Sequence, residues 1–186
     1  MKRIFDIIIA TVIGICLLPL ALIISLAIKL TSEGPVIYWS DRVGRHNKIF
    51  KMPKFRTMKV DTPSLATRRM TQPELYLTPI GPLLRKTSLD ELPQLWTILK
   101  GDMSFVGPRP VLANEEDLLA LRTQEGIHLQ KPGLTGWAQI NGRDFVTIER
   151  RVALEKEYIE KRSFCFDIYV FLKTIPKVLF KKDIVH

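Results

Sequence analysis

In the stretch TSLDELPQLWTILKGDMSFVGPRP, residues 87–110, two carboxylates stand side by side, Asp90 and Glu91, and an arginine, Arg109, is framed by Pro108 and Pro110. The plain reading of the first feature is a capping box, in which Ser88 and Glu91 satisfy free amides where a helix begins. That reading leaves Asp90 unexplained in so cationic a chain. An aspartate can also attack phosphorus as a nucleophile and so divide one hard transfer into two easier ones. Adjacent carboxylates suit Mg2+, which takes one or two protein oxygens and fills its other positions with water and substrate phosphates. At a helix mouth, free N–H groups would hold a carboxylate or the phosphoryl group joined to it. Arg109 fits the same chemistry: the flanking prolines narrow its backbone, and a guanidinium fork is suited to bidentate phosphate recognition. Its plain alternative is a solvated arginine in a surface turn.

The whole chain bounds these readings. Its 186 residues make one modest domain that can bury its own core. Lys and Arg number 28 against 19 Asp and Glu, a formal net charge of +9, which favours anionic partners. A nucleic-acid binder has only the charge in its favour, since no aromatic-basic motif or zinc spacing accompanies it. His46, His128 and His186 are scattered, and Cys16 and Cys165 are far apart, so neither a structural zinc nor a disulfide framework is expected.

The elements that must carry the dyad begin with an apolar run over residues 7–28, long enough to cross about 30 Å of hydrocarbon as a helix and longer than the core of a signal peptide. Pro19 lies in its middle, where a kink or break is expected. Lys2 and Arg3 precede the run, and Lys29, Arg42, Arg45, Lys48, Lys51 and Lys54 follow it. Positive flanks stay on the cytoplasmic side, so a helix that enters, bends near Pro19 and leaves by the same face is the economical reading, with a straight span as the alternative. Residues 36–55 read as a basic hairpin turning at 45–47, and 60–78 as a loop with one helical turn. Helices are expected over 92–99, 114–125 and 152–161. The C-terminal segment sets Lys173, Lys177 and Lys181 beside many aromatic and aliphatic residues. It reads equally as an interfacial helix under anionic headgroups and as a core helix with a solvated stripe. The fold class is thus α/β, mostly helical with few short strands. Residues 1–33 are expected to form a re-entrant membrane helix, and 34–186 one domain that carries the dyad and ends in an interfacial helix.

Three motifs, KFRTM (54–58), RKTSLDELPQLWTILKGDMSFVGPRP (85–110) and KPGLTGWAQINGR (131–143), closely resemble the bacterial sugar transferase family, the small monotopic phosphoglycosyl transferases. The resemblance runs over nearly the whole chain. It implies an enzyme of the bacterial inner membrane, catalytic domain on the cytoplasmic face, that moves a phosphosugar from a UDP-sugar to undecaprenyl phosphate and releases UMP. It implies Asp90 as nucleophile and holder of the covalent phosphosugar, Glu91 as its partner, and Mg2+ held by the two. Arg85, Arg109, Lys54 and Arg56 would meet substrate phosphates, and Gln139, Asn141 and Arg143 the nucleotide or sugar. The partners implied are the UDP-sugar, undecaprenyl phosphate and an anionic phospholipid membrane, with no nucleic acid. The family's re-entrant helix breaks at Ser-Pro, whereas this chain has Leu18-Pro19, so Thr11 or Ser25 would have to support the bend. Asn47 stands where a glycine is frequent, and asparagine tolerates the left-handed turn expected there. Neither the sugar nor an oligomeric state is legible.

Overall fold

A computed structural model describes residues 1–62, 72–142 and 147–180. Helix α1 (Lys2–Thr31) takes in the whole apolar run and continues through Pro19 in helical conformation, so the expected break is absent. It is long and apolar enough to cross a membrane, and only 11% of its most apolar window is buried inside the protein. Ile8, Val12, Ile15, Leu18, Leu22 and Ile23 are more than half exposed, an arrangement that water disfavours and lipid accommodates.

Both ends of α1 are nevertheless fixed to the rest of the chain. Near its start, Lys2 Nζ donates to the Val106 carbonyl at 2.8 Å and lies 2.8 Å from Asp167 Oδ2, while Asp6 Oδ1 accepts from Ser104 Oγ and the Phe105 amide at 3.1 Å each. The Arg3 guanidinium donates to the carbonyls of Ile98 and Leu99. Ala10 is fully buried in a core with Ile98, Met103, Phe105, Tyr158 and Val170. Near its end, Ile24 and Ile28 enter a second core with Phe55 and Leu84. Arg56, 4% exposed, donates to the Ser32 carbonyl at 2.9 Å, to Ser32 Oγ at 2.8 Å and to the Glu33 carbonyl, satisfying carbonyls that a helix end leaves free.

The basic hairpin is present: β1 (Ile37–Val43) pairs antiparallel with β2 (Ile49–Phe55), from Ile37 opposite Phe55 to Val43 opposite Ile49. At its turn His46 and Asn47 take φ values of 58° and 57°, so Asn47 does occupy a left-handed position. Asn47 Nδ2 also donates to Thr123 Oγ1 at 3.0 Å, pinning the turn to α4 (Glu116–Gln124). Of the expected loop, the described part holds a 3-10 turn at Pro73–Tyr76. Helix α2 (Gly81–Thr87) precedes the dyad and α3 (Leu95–Lys100) follows it. The helix expected from 92 starts three residues later because Pro93 disfavours helical geometry at Leu92, and Leu89–Gln94 form a 3-10 turn instead.

A short parallel pair, β3 (Ser104–Val106) with β4 (Gly133–Thr135), brings the two remaining motifs side by side. The backbones touch there: a Cβ on Gly133 would lie 2.1 Å from the Gly107 amide nitrogen, so no larger residue fits. Helix α5 (Trp137–Ile140), α6 (Ile148–Lys161) and α7 (Phe164–Phe180) complete the fold. In α7, Val170 and Asp167 are buried while Tyr169, Leu172 and Ile175 lie exposed, so it has a core face and an apolar outer face at once. Of its lysines, Lys177 Nζ docks on the Ile140 carbonyl, Lys173 lies over the Tyr169 ring, and Lys181 falls outside the described residues.

Candidate active site

The dyad sits on the 3-10 turn between α2 and α3. Ser88 has φ 57°, closes α2 through its backbone amide, and makes no side-chain cap. The capping box is therefore not formed. Glu91 does donate its amide to the Ser88 carbonyl at 3.2 Å, but its carboxylate faces the other way, toward two cations. Glu91 Oε1 accepts from Arg109 Nη2 at 2.7 Å and from Lys54 Nζ at 2.9 Å. Lys54 comes from β2 and Arg109 from the loop after β3, so three separate segments meet on one oxygen.

Asp90 is treated differently. It is 8% exposed, yet among the described residues its nearest ion-pair partner is Lys54 at 3.7 Å and no side chain or amide hydrogen-bonds its carboxylate. Burial raises the Asp90 carboxyl above the ordinary range, with the Glu91 charge adding to it and Lys54 opposing. Burial works on Glu91 in the same direction, but Arg109 and Lys54 outweigh it and hold that carboxyl well below the usual range. One member of the pair is thus neutralised and fixed, and the other is confined with, among the described residues, one longer ion pair.

The surrounding charge is positive. Arg85 on α2 donates Nε to Thr57 Oγ1 at 3.0 Å; burial lowers its guanidinium pKa while the Asp90 charge opposes this. Arg42, read in the sequence only as part of a basic flank, belongs here too. Tyr38, Ser40 and Arg42 share a strand face with Phe50, Met52 and Lys54 opposite them, since paired residues project to one side. Arg42 donates Nε to Ser40 Oγ at 3.0 Å, and burial, then the positive charge of Arg109, lowers its pKa. Strand alternation counted from Lys54 was the signal that could have found it.

The other expected residues lie elsewhere or outside view. The Nη donors of Arg56 are engaged on the end of α1. Asn141 Nδ2 donates to the Trp137 carbonyl at 2.8 Å, one turn back on α5. Both amide atoms of Gln139 are buried, with no hydrogen-bond partner among the described residues. Arg143 lies outside the described residues. No cluster of three His, Cys, Asp or Glu side chains exists among the described residues, so of their carboxylates a cation here would have the dyad alone. That fits Mg2+: Asp90 and Glu91 Oε2 carry no hydrogen bond among the described residues, and Mg2+ leaves most positions to water and phosphate.

A buried carboxylate pair whose two pKa values are pushed in opposite directions, ringed by cations and joined to a helix apolar enough to cross a membrane, fits the class of group-transfer enzymes. Residues 1–181 match the bacterial sugar transferase family, and the chain belongs to that family of polyprenyl-phosphate phosphoglycosyl transferases. It is 43% identical over 184 residues to the UDP-glucose:undecaprenyl-phosphate glucose-1-phosphate transferase of Escherichia coli, covering 95% of this chain and 40% of that protein. It is 40% identical to EpsL, an uncharacterized sugar transferase of Bacillus subtilis, over 99% of this chain and 90% of EpsL. The undecaprenyl-phosphate galactose phosphotransferase of Salmonella typhimurium is 36% identical, over 98% of this chain and 41% of its own length. The chain thus spans about two fifths of the longer relatives and nearly all of EpsL.

Proposed function

We propose that this protein transfers a phosphosugar from a UDP-sugar to undecaprenyl phosphate, as a first membrane step in making a bacterial glycoconjugate. An Asp90 oxygen forms a bond to the β-phosphorus, the bond from that phosphorus to the bridging oxygen breaks, and UMP leaves with the electron pair. An oxygen of undecaprenyl phosphate then attacks the same phosphorus and Asp90 departs as a carboxylate. Phosphoryl transfer asks mainly for positioning and charge neutralisation, which Lys54, Arg42, Arg85 and Arg109 supply around the dyad. Asp90 and Glu91 would hold Mg2+, which when bound adds neutralising charge on the diphosphate.

The observation that carries the reading is the inequality of the dyad: Glu91 is bonded to Arg109 and Lys54, whereas enclosed Asp90 has, among the described residues, only the longer 3.7 Å ion pair with Lys54. A basic membrane anchor has no use for such a pair. The names of the relatives, which specify glucose or galactose phosphate transfer to undecaprenyl phosphate, support the substrate class. The test is incubation of the protein with a panel of UDP-sugars carrying labelled β-phosphate, following label on the protein, UMP release and label in lipid. Turnover that needs no lipid acceptor would replace this reading by a membrane phosphatase working through an aspartyl phosphate.

The same reading makes α1 re-entrant on the cytoplasmic side of the inner membrane. A straight helix of its 30 residues would be about 45 Å long and would carry one end away from the domain. Lys2 and Asp6 at one end, and Ile24 and Ile28 at the other, contact the same domain. With no break at Pro19, the turn would be a bend in a continuous helix. Ser25 does not support it, since its hydroxyl donates to Ala21 rather than to the Ile15 carbonyl that Pro19 leaves unpaired. The apolar outer face of α7 would lie along the same interface.

A further inference from the structure

We infer that Arg122 and Glu155, a buried ion pair outside the dyad, are positioning residues that aim Arg109 at the reacting diphosphate; this rests on the proposed function. Arg122 on α4 is 6% exposed and Glu155 on α6 is 2% exposed. Arg122 Nε donates to Glu155 Oε2 at 2.7 Å and its Nη2 to Glu155 Oε1, so the fork is fully oriented. The same Nη2 donates to the backbone carbonyl of Arg109 at 3.0 Å.

The chemistry of the Pro-Arg-Pro loop explains why that last bond matters. Pro108 and Pro110 fix their own φ angles but have no N–H, so the loop lacks two donors with which to anchor itself. It is held through its carbonyls instead. The Gly133 amide donates to the Pro108 carbonyl at 2.9 Å, fixing the peptide plane before Arg109. Arg122 fixes the plane after it. Beyond Pro110, the Val43 amide donates to the Val111 carbonyl at 2.9 Å, tying the loop to β1. With both its planes held, the direction in which Arg109 leaves the backbone is set, and its Nη2 reaches Glu91 at 2.7 Å.

A buried ion pair is weak evidence for stability, because desolvating two charges offsets their attraction and apolar replacements are often neutral. Arg151 Nε, 3.4 Å from Glu155, adds a second cation to the same carboxylate. A bond from such a pair to the backbone of a site residue is what orientation of that residue requires. The alternative is that the pair only ties α4 to α6.

A double-mutant cycle separates these. The probe is UDP with Mg2+, titrated without lipid acceptor into the full chain with its dyad intact; UDP carries no sugar to transfer, so binding alone is read. Arg122→Met/Glu155→Gln is expected to weaken UDP binding about tenfold while leaving the melting temperature close to that of the parent, since a displaced guanidinium loses its charge-assisted bidentate contact with phosphate. Arg109→Ala is expected to weaken it by as much or more. Combined, the changes should bind no more weakly than Arg109→Ala alone. Independent losses that multiply, or unchanged binding in the pair variant, would overturn the inference. If the pair variant does not fold, Arg122→Lys serves: it keeps a charge for Glu155, but one ammonium cannot hold the carboxylate and the Arg109 carbonyl as the fork does. It should show the same non-additive loss, and unchanged binding overturns the inference here too. Absence of UDP binding in the otherwise unchanged chain would instead overturn the proposed reaction.

Discussion

Lys54 Nζ stands 2.9 Å from Glu91 Oε1 and 3.7 Å from the neighbouring carboxylate of Asp90, so one ammonium neutralises the first and only moderates the second. Sequence adjacency alone gives two equivalent acids. The difference between them comes from β2 and the Pro-Arg-Pro loop, which place both short cationic contacts on Glu91.

The first prediction follows from that inequality. Asp90→Asn should abolish both turnover and label on the protein, by roughly 1,000-fold or more, because an amide is no anionic nucleophile. Glu91→Gln removes the carboxylate that orders Arg109 and Lys54 and should cost roughly a hundredfold, yet leave slow labelling of Asp90. Single-turnover labelling distinguishes them; label accumulating on Asp90→Asn would move the nucleophile elsewhere.

The labelling step should also have an acid limb set by Asp90. Attack needs the carboxylate, which burial makes easier to protonate, so at low Mg2+ the rate should fall as pH drops through a value above the ordinary carboxylate range. Saturating Mg2+, a cation on the same carboxylate, should move the limb down. Glu91, held well below that range, stays ionised throughout. Lys54 opposes the rise at Asp90, so Lys54→Met should move the limb to higher pH. Labelling rates between about pH 4 and 8 check the sign; a limb moving down in Lys54→Met would reverse the electrostatic account.

Chelation offers a separate check. EDTA should stop UMP release and Mg2+ restore it, because two carboxylates and a diphosphate otherwise crowd negative charge together. Full activity in chelator would remove the metal from the reaction.

Much of this was legible in the sequence, for reasons that differ by element. The hairpin announced itself through β-formers on either side of a turn, and its left-handed Asn47 was readable from chemistry. The dyad and Arg109 stood out by residue type. Arg56 shows the limit: KFRTM puts Lys54 and Arg56 two residues apart, yet Lys54 lies in the site while Arg56 serves the end of α1. Which cation faces a substrate depends on where α1 packs, a tertiary fact absent from local spacing. Arg122 and Glu155 were invisible for the same reason, being 33 residues apart on different helices.

Arg56→Met should therefore act on stability rather than on substrate. It removes charge-assisted hydrogen bonds to the Ser32 and Glu33 carbonyls and should cost about 2 to 3 kcal/mol, read as a lower melting temperature in detergent. The KM for UDP-sugar of the folded fraction should be unchanged. A selective rise in KM would return Arg56 to the phosphate site.

The topology of α1 can be decided by which compartment sees its start. In a background with Cys16→Ser and Cys165→Ser, one cysteine is inserted directly after Met1, which is 87% exposed, and another replaces Lys48 at the exposed hairpin turn. If α1 is re-entrant, an impermeant thiol reagent outside the inner membrane should reach neither, and both should react once the inner face is opened. A straight span must expose one end, because a helix of this length reaches the opposite headgroups. Labelling of the N-terminal cysteine from outside would reject the re-entrant reading while leaving the chemistry of the dyad untouched. Pro19→Ala then separates two causes of the bend. Restoring the amide lets the Ile15 carbonyl pair and favours a straight helix. Against that stand the contacts of Lys2 with Asp167 and of Asp6 with Ser104 and Phe105, which hold the start of α1 on the domain. Those buried polar bonds should prevail, so the N-terminus is expected to stay inside in Pro19→Ala. It should move outward only when Asp167→Ala and Asp6→Ala also release that end.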